Sequence, residues 1–172
     1  MQEQIINFLK KSGEYISGEE ISRSLNISRA GIWKYIQDLR SQGYEIVAVP
    51  HLGYKLLSLP DKLLAHEIKY ELNTKIFGKK IFAHEAISST MDEAFGLGMK
   101  GAAEGTVVCA ESQSKGRGRL GRHWVSPSGK GIYMSVILRP SINPAEVPKL
   151  TLLSAVAVAQ AVYKVAGVKV AI

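Results

Sequence analysis

A single cysteine, Cys109, stands among the 172 residues, so the chain can form neither an internal disulfide nor a thiolate metal cluster. It sits in the apolar run Thr106-Val107-Val108-Cys109-Ala110, where a buried strand thiol is expected. The four histidines fall at no metal-ligand spacing, and no metal site is expected. No basic stretch followed by an apolar one opens the chain; Met1 leads straight into a helical polar–apolar pattern, and the expected compartment is the cytoplasm. Six prolines and 16 glycines are too few for a collagenous or low-complexity chain, and 46% hydrophobic residues are too many for a disordered one. The longest apolar stretch, Leu152 to Val168, is broken by Gln160 and Lys164. It reads as a core helix and not as a membrane span, so no membrane partner is expected.

Charge of one sign is also missing from one segment. Between Ser112 and Lys130 there is no acidic residue, while Lys115, Arg117, Arg119, Arg122 and Lys130 all lie there. Residues 1–60 hold seven lysines and arginines against six acids, and the remainder holds fifteen against nine. The net charge of +7 is therefore concentrated in one loop of the second part of the chain and does not mark residues 1–60 as a nucleic-acid binder.

What is present in residues 1–60 is a helix-turn-helix pattern. Ile5, Ile6, Phe8 and Leu9 line one face of a first helix that Ser12-Gly13-Glu14 ends. Ser17-Gly18-Glu19-Glu20 has the spacing of a capping box and opens a second helix with Ile21 and Leu25 on its buried stripe. Ser28 is a good N-cap for a third helix, in which Ile32, Ile36 and Leu39 form the buried face. Strands over 44–49 and 54–56, joined by the turn Pro50-His51-Leu52-Gly53, complete a winged helix. In such readers the second helix of the pair enters the major groove led by its N-terminal residues. Ser28, Arg29, Lys34 and Tyr35 are accordingly the candidate DNA contacts, with His51 and Lys55 on the wing. A winged helix can equally serve as a protein-docking module, and the near-neutral charge fits that alternative.

Ser58-Leu59-Pro60-Asp61 marks the boundary, dividing a winged-helix domain over 1–60 from a second domain over 61–172. Helical spacing resumes from Leu63 to Leu72, and strands are expected over 81–84, 106–111 and 131–138. In the last of these Ile132, Met134, Val136 and Leu138 alternate as the apolar face. Thr90 and Glu93 have capping-box spacing for a helix running to Met99; Ser89 and Thr90 serve there either as caps or as polar contacts for a ligand. The glycines and arginines of Lys115-Gly116-Arg117-Gly118-Arg119-Leu120-Gly121-Arg122-His123-Trp124 allow close backbone approach and supply forked cationic donors. This is neither a P-loop nor a dinucleotide fingerprint. A strand on each side favours an anion site over a nucleic-acid-binding arginine-glycine tail.

The string GRGRLGRHWVSPSGKGIYMSVILRP resembles the signature of biotin protein ligases, and SSTMDEA resembles their Ser-Thr biotin-contacting segment. The winged helix resembles that of the bifunctional members, which also repress the biotin biosynthetic operon, and the similarity runs in order over essentially the whole chain. The resemblance implies an α+β chain: a winged helix-turn-helix followed by the first part of a class II synthetase-like mixed-sheet catalytic domain. It implies ATP, biotin and nucleotide-borne Mg2+ as ligands. The implied partners are a biotin carboxyl-carrier protein of a carboxylase and operator DNA, with a ligand-induced homodimer. Ser89, Thr90 and Gln113 would bond the biotin head group. Gly116, Arg117, Gly118 and Arg119 would wrap carboxylate and phosphate, Arg117 and Arg119 catalytically and with Arg122 in support, while Trp124 and Tyr133 wall the pocket. Met91 departs from the amide side chain usual after Ser-Thr. The family's Lys-Trp-Pro-Asn-Asp lysine would follow a strand at Lys169-Val170-Ala171-Ile172 and does not occur, so the 172 residues alone are expected to be weak or inactive. Lipoate or octanoate ligases share the fold class, and a winged-helix regulator that only senses its ligand is the non-enzymatic alternative.

Overall fold

The computed structural model describes residues 1–171, which fall into two compact units, Met1–Ile137 and Leu138–Ile172. The first begins with helices α1 (Gln2–Ser12), α2 (Gly18–Leu25) and α3 (Arg29–Ser41) and an antiparallel hairpin of β1 (Glu45–Val49) and β2 (Gly53–Ser58). Three helix ends carry the caps read from the sequence, although no bond from the Ser17 amide to Glu20 completes the capping box among the described residues. Gly13 ends α1 with φ of 66°. The Ser17 and Ser28 hydroxyls accept from the Glu20 and Gly31 amides at 3.0 and 3.1 Å, satisfying donors that the first helical turn leaves without partners. Ile5, Ile6, Leu9, Ile21, Ile32, Ile36 and Leu39 meet in one core joined by Ile16, Tyr44 and Ile46. Burial of each large aliphatic chain contributes roughly 1.5–3 kcal/mol. The hairpin is docked by a two-way backbone pairing of Ile16 with Tyr54 at 2.8 and 2.9 Å. Only glycine fits beside that pairing: Gly53 has φ of 107°, and a Cβ there would lie 2.0 Å from the Ile16 carbonyl oxygen.

After residue 60 the expected helix over 63–72 shortens to α4 (Ala65–Tyr70). A half-buried polar seam ties it to the winged helix. Tyr44 donates its hydroxyl proton to Glu67 Oε1 at 2.5 Å, Lys10 pairs with the same carboxylate, and the Lys10 ammonium sits 4.1 Å from the centre of the Tyr70 ring. Burial, then the Glu67 carboxylate, pushes the Tyr44 hydroxyl well above its ordinary pKa and keeps it a donor.

A mixed sheet follows, in the order β3 (Ile81–His84), β4 (Val107–Ala110), β5 (Tyr133–Val136), with β3 and β4 parallel and β4 and β5 antiparallel. α5 (Thr90–Met99) is the crossover between the two parallel strands. Phe82, Val108, Ala94, Leu97 and Ile137 close the small core beneath it. Cys109 is buried as expected, and burial with the nearby Glu111 carboxylate raises its thiol pKa, so it stays protonated.

Four expectations are corrected. The cap of α5 is Ser89, extended at φ −158° and ψ 126°, whose hydroxyl accepts from the Asp92 amide at 3.4 Å. Thr90 is thereby the first helical residue, and Glu93 pairs with His84 at 3.1 Å instead of closing a capping box. In β5 the face carrying Ile132, Met134 and Leu138 is the exposed one; the core side is taken by Ser135 and Ile137, because α5 packs on that side of the sheet. In the second unit, α6 (Pro148–Ala166) has no buried residue, so it is not a core helix among the described residues; the single turn Pro144–Glu146 packs beside it. By length and composition alone, Pro144–Ala166 is apolar enough to cross a membrane. Finally, residues 169–171 form no strand, since no described strand pairs with them, and Ile172 lies outside the described residues.

Candidate functional site

The open end of the mixed sheet places three segments together: the N-terminus of α5, the chain leaving β4, and the start of β5. Between them lies a cavity of about 230 Å³ lined by Ser89, Thr90, Met91, Gln113, Arg117, Trp124, Ile132, Tyr133, Met134 and Ser135. Six of the ten residues expected at the ligand are thus brought to one place: Ser89, Thr90, Gln113, Arg117, Trp124 and Tyr133.

The polar wall is built by backbone pairing. Gln113 bridges Ile87 on one side and Ser126 on the other, which holds its side chain beneath the first turn of α5. There Gln113 Oε1 accepts from the Thr90 amide at 2.9 Å and from the Thr90 hydroxyl at 3.0 Å, and Ser135 donates to Thr90 Oγ1 at 3.0 Å. Trp124, Ile132, Met134 and Tyr133 complete the lining, and the Tyr133 hydroxyl donates to the Pro127 carbonyl at 3.0 Å. A cavity with a polar edge and an otherwise apolar lining suits a small ligand with one hydrogen-bonding end and a hydrocarbon body.

The arginine-rich segment is a narrow hairpin and not an open loop. Trp124 N–H donates to the Gly116 carbonyl and Gly118 N–H to the Arg122 carbonyl, both at 2.8 Å. The glycine at 116 is required by this closure: a Cβ would lie 2.3 Å from the Trp124 carbonyl oxygen. Arg117, at the hairpin base, turns to the cavity and pairs with Asp92 in the first turn of α5. Gly116 and Gly118 support the hairpin from outside the cavity wall, and Arg119 and Arg122 lie exposed toward its tip. There Leu120 has φ of 58° and is 90% exposed. The sequence reading missed Ser135, Ile132 and Met134 in the cavity lining and Ser126 beside it. Ser135 carried a signal, being a hydroxyl on the strand face opposite the apolar alternation.

Of the candidate DNA contacts, Arg29 and Lys34 are exposed on α3, and Arg29 pairs with Glu19 at 2.8 Å. The Ser28 hydroxyl caps the helix, and Tyr35 is half-buried against the winged-helix core. On the wing, His51 is exposed and Lys55 pairs with Glu14 at 3.0 Å. Trp33, 59% exposed on α3, was not among the candidates.

The fold and site define a helix-turn-helix protein whose second part carries a small-ligand cavity beside a cationic hairpin. The HTH domain model matches residues 1–55 and that of the biotin/lipoate A/B protein ligase family matches 83–172, and the chain belongs to this ligase family. It is 43% identical over 170 residues to the bifunctional ligase/repressor BirA of Bacillus subtilis, covering 98% of this chain and 52% of the relative. To the bifunctional ligase/repressor BirA of Escherichia coli it is 35% identical over 163 residues, covering 94% and 49%. The chain therefore spans about half the length of the curated relatives it matches. Among solved structures it is similar to the biotin protein ligase of Aquifex aeolicus in complex with biotin and ATP (TM-score 0.43, 31% identity, 53% of this chain and 37% of that one). It is also similar to that of Leishmania major in complex with biotinyl-5-AMP (TM-score 0.44, 34% identity, 51% and 35%).

Proposed function

We propose that this protein acts in the ATP-dependent ligation of biotin to a lysine of a carboxyl-carrier protein, and that its winged helix represses biotin biosynthesis by binding operator DNA. The observation that carries the ligase reading is the convergence of Ser89, Thr90, Gln113, Arg117, Trp124 and Tyr133 on one cavity. The names of the curated relatives, ligase and repressor together, support both halves.

The chemistry asks for what the cavity supplies. A biotin carboxylate oxygen attacks the α-phosphorus of ATP; a new P–O bond forms and pyrophosphate leaves. The carrier lysine then attacks the acyl carbon of biotinyl-5′-AMP, forming the amide and releasing AMP and a proton. Joining two anions is limited by their repulsion, so placement and positive charge do most of the work. Thr90 and Gln113 hold the polar head, with Ser89 capping the helix behind them. Trp124 and Tyr133 flank the hydrocarbon body, and Arg117 meets the carboxylate and phosphate. Arg119 and Arg122 join when the hairpin tip folds onto the adenylate, which shields the mixed anhydride from water. Mg2+ accompanies ATP on its phosphates. The division of labour follows the boundary at 60/61, in a cytoplasmic protein whose ligand-bound form pairs into a homodimer. A titration tests the cavity directly. In a Trp33→Phe variant of the 172-residue chain Trp124 is the one tryptophan left among those residues, and its fluorescence is expected to change saturably with biotin and not with lipoate. No change with either acid would remove biotin from this cavity.

On the DNA side, Ser28, Arg29, Lys34 and Tyr35 present the start of α3 to the duplex, with His51 and Lys55 following on the wing. Arg29→Ala is expected to weaken operator binding and to lower the slope of log K against log salt by about one. Its pairing with Glu19 is exposed, so releasing it adds little to either state. An unchanged slope in a filter-binding series would take Arg29 out of the interface.

A further inference from the structure

Ser126 does not line the cavity, yet one bonded chain joins it to both the polar and the apolar lining. It is 5% exposed and sits where the hairpin rejoins the sheet. Its hydroxyl accepts from Gln113 Nε2 at 3.2 Å and donates to the Trp124 carbonyl at 3.2 Å. At the other end Gln113 Oε1 takes the Thr90 amide and hydroxyl protons.

The polarity of this chain is fixed at both ends. A backbone N–H can only donate, so the amide atom facing Thr90 N must be the oxygen. A backbone carbonyl can only accept, so Ser126 spends its proton on Trp124 and meets Gln113 with a lone pair. Turning the Gln113 amide over would set a donor against the Thr90 amide and an acceptor against the lone pair of Ser126. Both ends would mismatch together, and a buried polar group left without a partner costs more than the bond it loses.

We propose that Ser126 is a positioning residue for ligand binding: its hydroxyl holds the Gln113 amide so that one Nε2–H remains for the ligand. Thr90 Oγ1, its proton given to Gln113 and one lone pair taken by Ser135, keeps one lone pair free. The wall therefore shows a donor beside an acceptor, the complement of a cyclic urea or lactam with its carbonyl next to an N–H. A cyclic guanidinium, which only donates, is refused at the Gln113 position. This inference rests on the biotin reading for the identity of the ligand and on the hydrogen-bond chain for the role of Ser126.

Two measurements on the intact protein test it. In the ligand-free state one Gln113 Nε2–H should exchange slowly with water by NMR, and Ser126→Ala should speed that exchange, while the two bonds from Thr90 to Gln113 Oε1 remain. The backbone bond from Gln113 N–H to the Ser126 carbonyl, 3.1 Å, does not depend on the side chain and should survive. By calorimetry, Ser126→Ala should weaken biotin binding about three- to tenfold, the worth of one lost positioning bond. In a Gln113→Ala background it should do nothing further. A Gln113 Nε2–H that exchanges as fast in the wild type as in Ser126→Ala overturns the proposal, as does an equal loss in both backgrounds, which a merely structural role would give. An ordered Gln113 released by Ser126→Ala, in a protein that ignores biotin, upholds the positioning role and sinks the biotin reading instead.

Discussion

Replacing Arg117 by alanine is expected to cut biotin-dependent pyrophosphate–ATP exchange by about 10²–10³-fold, the usual cost of one donor aimed at developing charge. Arg117 is the only arginine of the hairpin that reaches the cavity. Its partner in the ligand-free chain is Asp92, at a half-exposed pair that water and salt screen. Exchanging that partner for a carboxylate and a phosphate within a closing site gains far more than the pair loses. The loss should fall mainly on kcat, because the charge Arg117 meets is greatest while the P–O bond forms. A fall confined to KM would make Arg117 a docking contact only. Arg119→Ala separates the tip from the base: an effect as large as that of Arg117→Ala is expected only if the tip folds onto the adenylate.

The second large effect is expected from the smallest change in volume. In Gly116→Ala the new methyl carbon would lie 2.3 Å from the Trp124 carbonyl oxygen and 2.6 Å from Ser126 Oγ. The first of these is backbone, so the hairpin base must open. Opening it breaks the bond from Trp124 N–H to Gly116 and drags Trp124 and Ser126 away from Gln113. Biotin affinity should drop at least tenfold, from polar and apolar lining displaced together. The winged helix has its own core, which this substitution does not touch. Binding within twofold of the wild type would mean that the hairpin is loose at its base.

Much of this was legible in the sequence because local chemistry decided it. Ser17, Ser28 and the Ile32-Ile36-Leu39 stripe fix their helices through caps and periodicity, which are written within a few residues. The strand at 81–84 and the end of α5 at Met99 fell where expected for the same reason. What the sequence hid was long-range. Which of Ser89 and Thr90 caps α5 depends on Gln113, 23 residues away, taking the Thr90 amide and hydroxyl. The exposed face of β5 is set by the side on which α5 packs, so the apolar alternation of Ile132, Met134 and Leu138 misled. Likewise the glycines of the arginine-rich segment read as ligand-approach residues. Gly116 proves to be needed by the hairpin itself, a contact with Trp124 that no local pattern announces.

Pyrophosphate–ATP exchange by the intact gene product, with biotin, lipoate and octanoate supplied separately, is the most direct test of adenylation at this cavity. Exchange that depends on biotin, is absent with the other two acids and is lost in Arg117→Ala is the predicted result. Exchange with lipoate or octanoate instead of biotin would contradict the reading of the cavity. Absence of exchange with all three would leave a ligand-sensing regulator in place of an enzyme.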